Sequence, residues 1–267
     1  MKFDMHCHTS EGSIDSRVPI ADYVSVLKAN GFGGMLVTDH DSYGGYYYWK
    51  KHKKEMPDDF VVLKGIEYDT KDAGHFIVIM PDDIRLHVLE LRGMGVNQLT
   101  RIVHKYGGIL GPAHPFGMRS SSAMFCHKMK VHTDLMYNFD FLEGFNTCER
   151  VRSNLLAREL AARYDLQCIG GSDAHRIKYV GTAYTDFDTE ITCNNDIIES
   201  IRTGGVAAFG GKERYYKKEH NKRNWFATTW SFKAFNRSLG ILYTPYRKHK
   251  IRNIRKDNPQ HKNRGTV

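Results

Sequence analysis

No apolar run in the sequence is long enough to cross a bilayer: the longest uninterrupted one, Phe76 to Met80, falls far short of the ~18 residues a membrane helix needs. No membrane partner is therefore expected. Asp4 and His6 stand where the apolar core of a secretory leader would begin, so no leader is legible and a cytoplasmic location is expected. Cysteine is sparse and unpatterned. The five residues Cys7, Cys126, Cys148, Cys168 and Cys193 are odd in number, widely scattered and without a Cys-x-x-Cys, which argues against a disulfide framework and against a thiolate zinc site. Internal repeats and low-complexity segments are also lacking. What is present, 41% hydrophobic and 26% charged residues in a chain of 267, supports a folded domain with a real core and excludes disorder as the main state.

The formal charge of +9 suggests a nucleic-acid binder at first reading. Its distribution says otherwise. From Lys212 onward there are 16 Lys and Arg against three Asp and Glu, which leaves 23 against 27 in residues 1–211. A mildly acidic body of residues 1–211 thus carries a basic, aromatic-rich C-terminal extension of residues 212–267.

Before Gly211 one grammar recurs: a short apolar or β-branched run, a polar or Gly-containing turn, then helical spacing. Strands are expected at Lys2–His6, Met35–Thr38, Val61–Glu67, His75–Met80, Ile109–Ala113, Phe141–Phe145 and Cys168–Gly171. Helices are expected from Pro19 to Gly31, over Val96–Tyr106 and Asn154–Tyr164, and over Asp196–Arg202. This alternation predicts a parallel α/β sheet, open or closed into a barrel. Tyr68–Gly74 is too short for a crossover helix, so the third and fourth strands should form a hairpin or a local distortion.

Polar residues gather where these strands end. Reading along the chain, the runs are "DMHCHTS" (His6, His8), "TDHD" (Asp39, His40, Asp41), "GIEYD" (Glu67, Asp69), "GHFIV" (His75), "PAHPF" (His114) and "GGSDAH" (Asp173, His175). Singly each has an ordinary explanation, and chance alone would give about 0.7 His-x-His pairs in a chain this rich in histidine. Together they place imidazoles and carboxylates at successive strand ends, which a parallel α/β fold brings to one rim. Strand alternation sets His6 and His8 on one face, about 7 Å apart along the strand, with Cys7 turned away. Neutral imidazole and carboxylate are ligands for Zn²⁺, Mn²⁺ or Fe²⁺. About eight or nine such donors exceed what one ion needs, so two or three divalent metal ions are implied. Such a centre suits hydrolysis of an ester at phosphorus.

In this order the motifs resemble those of the PHP (polymerase and histidinol phosphatase) superfamily, over about residues 2–176. The resemblance implies a distorted (β/α)7 TIM-like barrel with a di- or trinuclear centre at its C-terminal rim. Carried over by motif, His6, His8, Glu67 and Asp173 would hold one ion. Glu67, His75 and His114 would hold a second, with Glu67 as bridge, and His40 and His175 would serve a third. Ser13 stands where many members carry a further ligand, so that role falls to Asp15 or to Glu11.

The expected activity is a metallophosphoesterase acting on a small-molecule or nucleotide phosphate ester, through a hydroxide that bridges two ions. Asp173 or His175 would relay the leaving-group proton. Arg119, Arg150 and Arg176 are candidate phosphate clamps, the alternative for each being a solvated loop arginine. Gly117–Thr133 should form a loop over the rim, with His127 and His132 at the surface.

In residues 212–267 basic and aromatic residues interleave, a pattern that can track a phosphate backbone and stack on bases. Yet the apolar positions 225, 226, 230, 232, 235, 239, 241 and 242 are dense enough for a helix or irregular arm packed on the acidic body, which is the reading favoured, with "RKHKIRNIRK" solvated. Two alternative functions follow. One is a 3′-end exonuclease that holds nucleic acid through the extension; the other is a non-catalytic partner-binding barrel, which the complete donor set argues against.

Overall fold

The computed structural model describes residues 1–117, 121–214, 231, 234, 235 and 238–257, of which 252–257 are described by backbone alone. Nine strands form in chain order: β1 (Lys2–Cys7), β2 (Gly34–Val37), β3 (Val61–Asp69), β4 (His75–Ile79), β5 (Ile109–Pro112), β6 (Phe141–Asn146), β7 (Gln167–Gly171), β8 (Ala183–Phe187) and β9 (Val206–Gly211). Helices with both ends among the described residues accompany them: α1 (Ile20–Ala29), α2 (Gly44–Lys51), α3 (Val96–Lys105), α4 (His127–Val131), α5 (Val151–Tyr164), α6 (Asn194–Thr203) and α7 (Thr244–Asp257).

Local sequence accounts for the main helices. Val96, Leu99, Thr100, Ile102 and Val103 line the buried face of α3 at helical spacing. α1 buries Ile20, Tyr23, Val24 and Leu27 after Pro19. α6 starts where the Asp196 carboxylate accepts the Thr192 and Cys193 N–H groups, and ends at Gly204, whose φ of 83° suits glycine.

The main sheet has seven strands in the order β5-β4-β3-β2-β1-β8-β9 and curls, while β6 and β7 pair separately. Of the all-parallel expectation, only the β1–β2–β3 block and the β6–β7 pair remain parallel. The expected hairpin forms, with Asp69 paired to His75 across β3–β4. It reverses β4, so β5, resuming the original direction, is antiparallel to β4 in turn. At the other edge β8 and β9 add antiparallel strands that the sequence reading lacked. One apolar cluster draws Phe3 and Met5, Leu36, Leu63, Ile77 and Ile79, Ile109, Phe141 and Ile169 from β1 to β7, so the curled sheet and the β6–β7 pair enclose a shared core.

The expected rim loop after Gly117 is instead structured among its described residues, as a 3₁₀ turn at Ala123–Phe125 followed by α4; His127 and His132 are exposed. In the extension, positions 225, 226, 230 and 232 lie outside the described residues. Phe235, Ile241 and Leu242 are exposed rather than packed, and the docking is carried by α7, with Ile251 against the main core.

Candidate functional site

The β1–β2–β3 strands run parallel, so His6, His8, Asp39, His40, Glu67 and Asp69 all reach one rim, joined by His75 from the start of β4 and by His114 and Asp173 just past β5 and β7. Three rim residues take positive φ: Asp41 at 47°, His114 at 28° and Asp173 at 51°. Non-glycine residues held there cost energy, and such strain concentrates at functional sites.

Glu67 lies at the centre. His75 Nδ1 and His114 Nε2 each lie 2.9 Å from its Oε1. Its Oε2 is faced by His40 Nδ1 at 2.9 Å, His8 Nε2 at 3.3 Å and His6 Nε2 at 3.5 Å, yet none of the three is aligned to hydrogen-bond it. Asp173 Oδ1 lies 3.3 Å from His8 Nε2 and 3.8 Å from His6 Nε2. Asp15 Oδ2 stands 3.2 Å from His175 Nε2 and 3.5 Å from His40 Nε2. Glu11 takes another role: its carboxylate accepts the Ile20 N–H at the start of α1.

The partners behind the rim fix which nitrogens face inward. Glu143 can only accept, so His6 carries its proton on Nδ1, 2.9 Å from Glu143 Oε1. Ser13 Oγ donates to Asp39, and so receives the proton of His8 Nδ1 at 3.2 Å. With both rings neutral, as metal ligands are, the two Nε2 lone pairs therefore point at one another across 3.1 Å. Two facing lone pairs beside an unsatisfied buried carboxylate oxygen are an arrangement that a cation satisfies. The inward donor atoms fall into three compact groups, His6–His8–Glu67, His40–Glu67–His75 and His8–His40–His175.

Electrostatics agree. Burial opposes charge on every group, but Glu143, Asp173 and Glu67 hold His6 well above its ordinary range, and Glu67 and Asp15 do so for His40. His114 is buried too, yet Glu67 raises it to about 9. Burial, with His40 and His175 alongside, lowers His8. Despite their own burial, Glu67 and Asp173 are held well below the usual carboxylate range by the surrounding imidazoles. The rim thus gathers protons onto its histidines where divalent ions would displace them.

Beside these groups lies a cavity of about 390 Å³, lined by His40, Glu67, His75, His114, Asp173 and His175 and, on its outer wall, by Cys148, Glu149, Arg176, Tyr179 and Arg214. Of the three candidate clamps, Arg176 lines it. Arg150 is exposed at the head of α5 and is not among the lining residues, and Arg119 lies outside the described residues. Arg214, whose guanidinium sits 4.5 Å over the Tyr179 ring, was missed because it was counted with the extension. Glu143 was missed as well, although a lone carboxylate inside the apolar run Phe141–Phe145 was the available signal.

A family profile described as PHP-associated matches residues 151–206. An uncharacterized protein of Methanocaldococcus jannaschii is 31% identical over 86 residues; the match covers 32% of this chain and only 36% of that relative's length. Among solved structures, one described as a metal-dependent phosphoesterase from Bifidobacterium adolescentis superposes with a TM-score of 0.51 at 16% identity, over 76% of this chain and 96% of that one. A lesion-specific endonuclease from Pyrococcus furiosus gives 0.57 at 17% identity, over 80% of this chain and 60% of that one. At such identities the likeness is one of fold. A curled α/β sheet whose rim gathers imidazoles and carboxylates is the plan of metal-dependent hydrolases. In its PHP-associated segment and in its fold, the chain is similar to proteins of the PHP superfamily.

Proposed function

We propose that the chain hydrolyses a small-molecule or nucleotide phosphate ester at a di- or trinuclear divalent metal centre. The observation that carries this is Glu67, a buried carboxylate ringed by five imidazoles, with one oxygen left without a hydrogen bond. His6, His8, Glu67 and Asp173 would hold one ion; Glu67, His75 and His114 a second; His40, His175 and Asp15 a third. Imidazole nitrogen and carboxylate oxygen suit Zn²⁺, Mn²⁺ or Fe²⁺. Bound ions would lower the pKa of water and neutralise charge on phosphoryl oxygens.

The chain's own groups supply the rest. His175 holds Nδ1 3.0 Å from the Asp173 carbonyl and presents Nε2 towards Asp15, so it can carry a proton to the leaving oxygen when the third site is unused. Arg176 and Arg214 give the outer wall two guanidinium groups for an anionic ester. A cavity of about 390 Å³ suits a small ester. We read the curled sheet and the β6–β7 pair as a distorted (β/α)7 barrel of residues 1–211, to which the extension contributes Arg214. The five cysteines are all free, which suits a reducing cytoplasm.

Metal content of the purified protein, measured with turnover of phosphomonoesters, phosphodiesters and short oligonucleotides, tests the proposal. Glu67→Ala and His114→Ala should lose both metal and turnover. Hydrolysis that survives with metal absent would overturn it.

A further inference from the structure

Besides Arg214 on the cavity wall, the extension meets the body through a buried arginine. Arg247 on α7 is 6% exposed, and its guanidinium donates to the carbonyls of Arg92 and Gly240 and, at 3.0 Å, to Thr244 Oγ1. The backbones meet directly there: Gly93 has a φ of 88°, and a Cβ on it would lie 2.7 Å from the Gly240 Cα. The same short segment is pinned from the opposite side by β3. The Tyr68 hydroxyl donates to the Leu91 carbonyl at 2.6 Å and accepts the Met94 N–H at 2.9 Å, while the Gly93 N–H donates to the Asp69 carbonyl at 2.8 Å.

Between these anchors the Arg92 side chain turns towards the rim. It lies 2.9 Å from Asp41 Oδ2 through both Nε and one terminal nitrogen, and 3.8 Å from Asp69 Oδ2. Asp41 follows His40, donates its N–H to the Glu67 carbonyl at 3.0 Å, and accepts the Asp69 N–H at 2.9 Å. Asp69 Oδ1 in turn stands 3.8 Å from His75 Nε2. Contacts therefore run without a break from α7 to His40, Glu67 and His75. Apolar contact is only part of this docking: Ile251 packs against the core, but Ile241 and Leu242 are 65% and 69% exposed while an arginine is buried. Burying a guanidinium is costly unless its donors are matched; here two bonds hold Arg247 to Gly240 and Thr244 of the extension, and a third is aimed at the Arg92 carbonyl, in the segment that orients the Arg92 side chain.

We propose that α7 is a strap that positions the Asp41–Asp69 side of the rim, with Arg247 as the positioning residue; this rests on His40, Glu67 and His75 being metal ligands. Arg92 screens two adjacent buried carboxylates, and Arg247 sets the backbone from which Arg92 reaches them. Losing the strap lets Asp41 and Asp69 separate and draws His40 and His75 off their shared approach to Glu67.

Calorimetric titration of the full-length, chelator-stripped protein with Mn²⁺ tests this in wild type, Arg247→Ala, Arg247→Lys, Arg92→Ala and the Arg92→Ala/Arg247→Ala double variant, with a melting curve for each. Arg92→Ala should weaken binding roughly tenfold, the low end of what losing a ligand's hydrogen-bonding support costs, and Arg247→Ala somewhat less. Arg247→Lys, which still donates to carbonyls, should recover most of the loss, and the double variant should bind no more weakly than Arg92→Ala. If Arg92→Ala does not fold, Arg92→Lys takes its place. Wild-type Mn²⁺ affinity in Arg247→Ala, with or without a lower Tm, overturns the strap, as do losses that add in the double variant. A wild type that binds none of Mn²⁺, Zn²⁺ and Fe²⁺ in the same titration overturns the metal reading itself, and the strap falls with it.

Discussion

Glu143→Gln should cripple metal binding although it changes a single atom type. Glu143 Oε1 accepts the His6 Nδ1 proton at 2.9 Å, while its Oε2 accepts the His114 N–H at 2.6 Å and the Asn146 amide at 3.1 Å. One carboxylate therefore fixes the tautomer of His6 and the left-handed backbone of His114, and through Asn146 it reaches Asp173 at 3.3 Å. A glutamine must choose an orientation. Pointing its NH₂ at His114 N–H and Asn146 sets donor against donor twice; pointing it at His6 does so once, and His6 can relieve that clash by moving its proton to Nε2. The second choice costs less, but it places a proton on the nitrogen that faces His8. Loss of a carboxylate behind a metal-binding histidine costs about 10- to 100-fold in affinity, or about 1.4–2.7 kcal/mol, and a wrong tautomer argues for the upper end. The assays are calorimetric Mn²⁺ binding and ¹⁵N-histidine NMR of the metal-free protein at a pH high enough to hold His6 neutral, which should report Nδ1–H for His6 in wild type and Nε2–H in the variant. Affinity within twofold of wild type, or an unchanged tautomer, would refute this reasoning.

Two further expectations come from the same geometry. Asp4 is fully buried, and burial lifts its carboxyl from 3.8 to about 6 against the hydrogen bonds from Ser172 and the His6 N–H. The folded state thus binds this proton more tightly than the unfolded one, so the stabilisation is full below the unfolded pKa and about 3 kcal/mol is lost as pH rises from about 4 through 6. Urea unfolding of chelator-treated wild type and Asp4→Asn between pH 4 and 8 should show that loss in wild type alone; parallel curves contradict it. On the cavity wall, Arg214→Ala and Arg176→Ala should each lower kcat/KM about 10-fold or more, as expected for a guanidinium bonded to a charged oxygen, with metal content unchanged. Undiminished kcat/KM in either variant would remove that arginine from substrate binding.

The strand-end histidines and carboxylates were legible because their signal is local: an apolar run that stops at an imidazole or a carboxylate announces a rim wherever strands run parallel. The β3–β4 hairpin was legible for a similar reason, since a short connection forbids a crossover. β8 and β9 were not: Thr185 and Asp186 break up Ala183–Phe187, the short run Val206–Phe209 passes straight into Gly210 and Gly211, and their strand character comes from pairing at the edge beside β1. Position by position, the sequence named Asp15 ahead of Glu11 for one role. The fold sets them further apart: Glu11 accepts the N–H of Ile20, while Asp15 faces His40 and His175.

The support behind the rim was hidden for a deeper reason. Strand alternation assigns each side chain a face, but β1 slips register between Asp4 and Cys7, and β6 slips between Glu143 and Phe145. Such irregularities re-aim a side chain relative to its neighbours, and they collect beside active sites. Here the two meet. His6 lies within the first, Glu143 opens the second, and the two are joined by the 2.9 Å bond that sets the histidine's tautomer. No pattern along one strand encodes a pairing between two slips 137 residues apart. The donors at the rim can therefore be read from sequence, whereas the carboxylate that points one of them the right way can be read only from the fold.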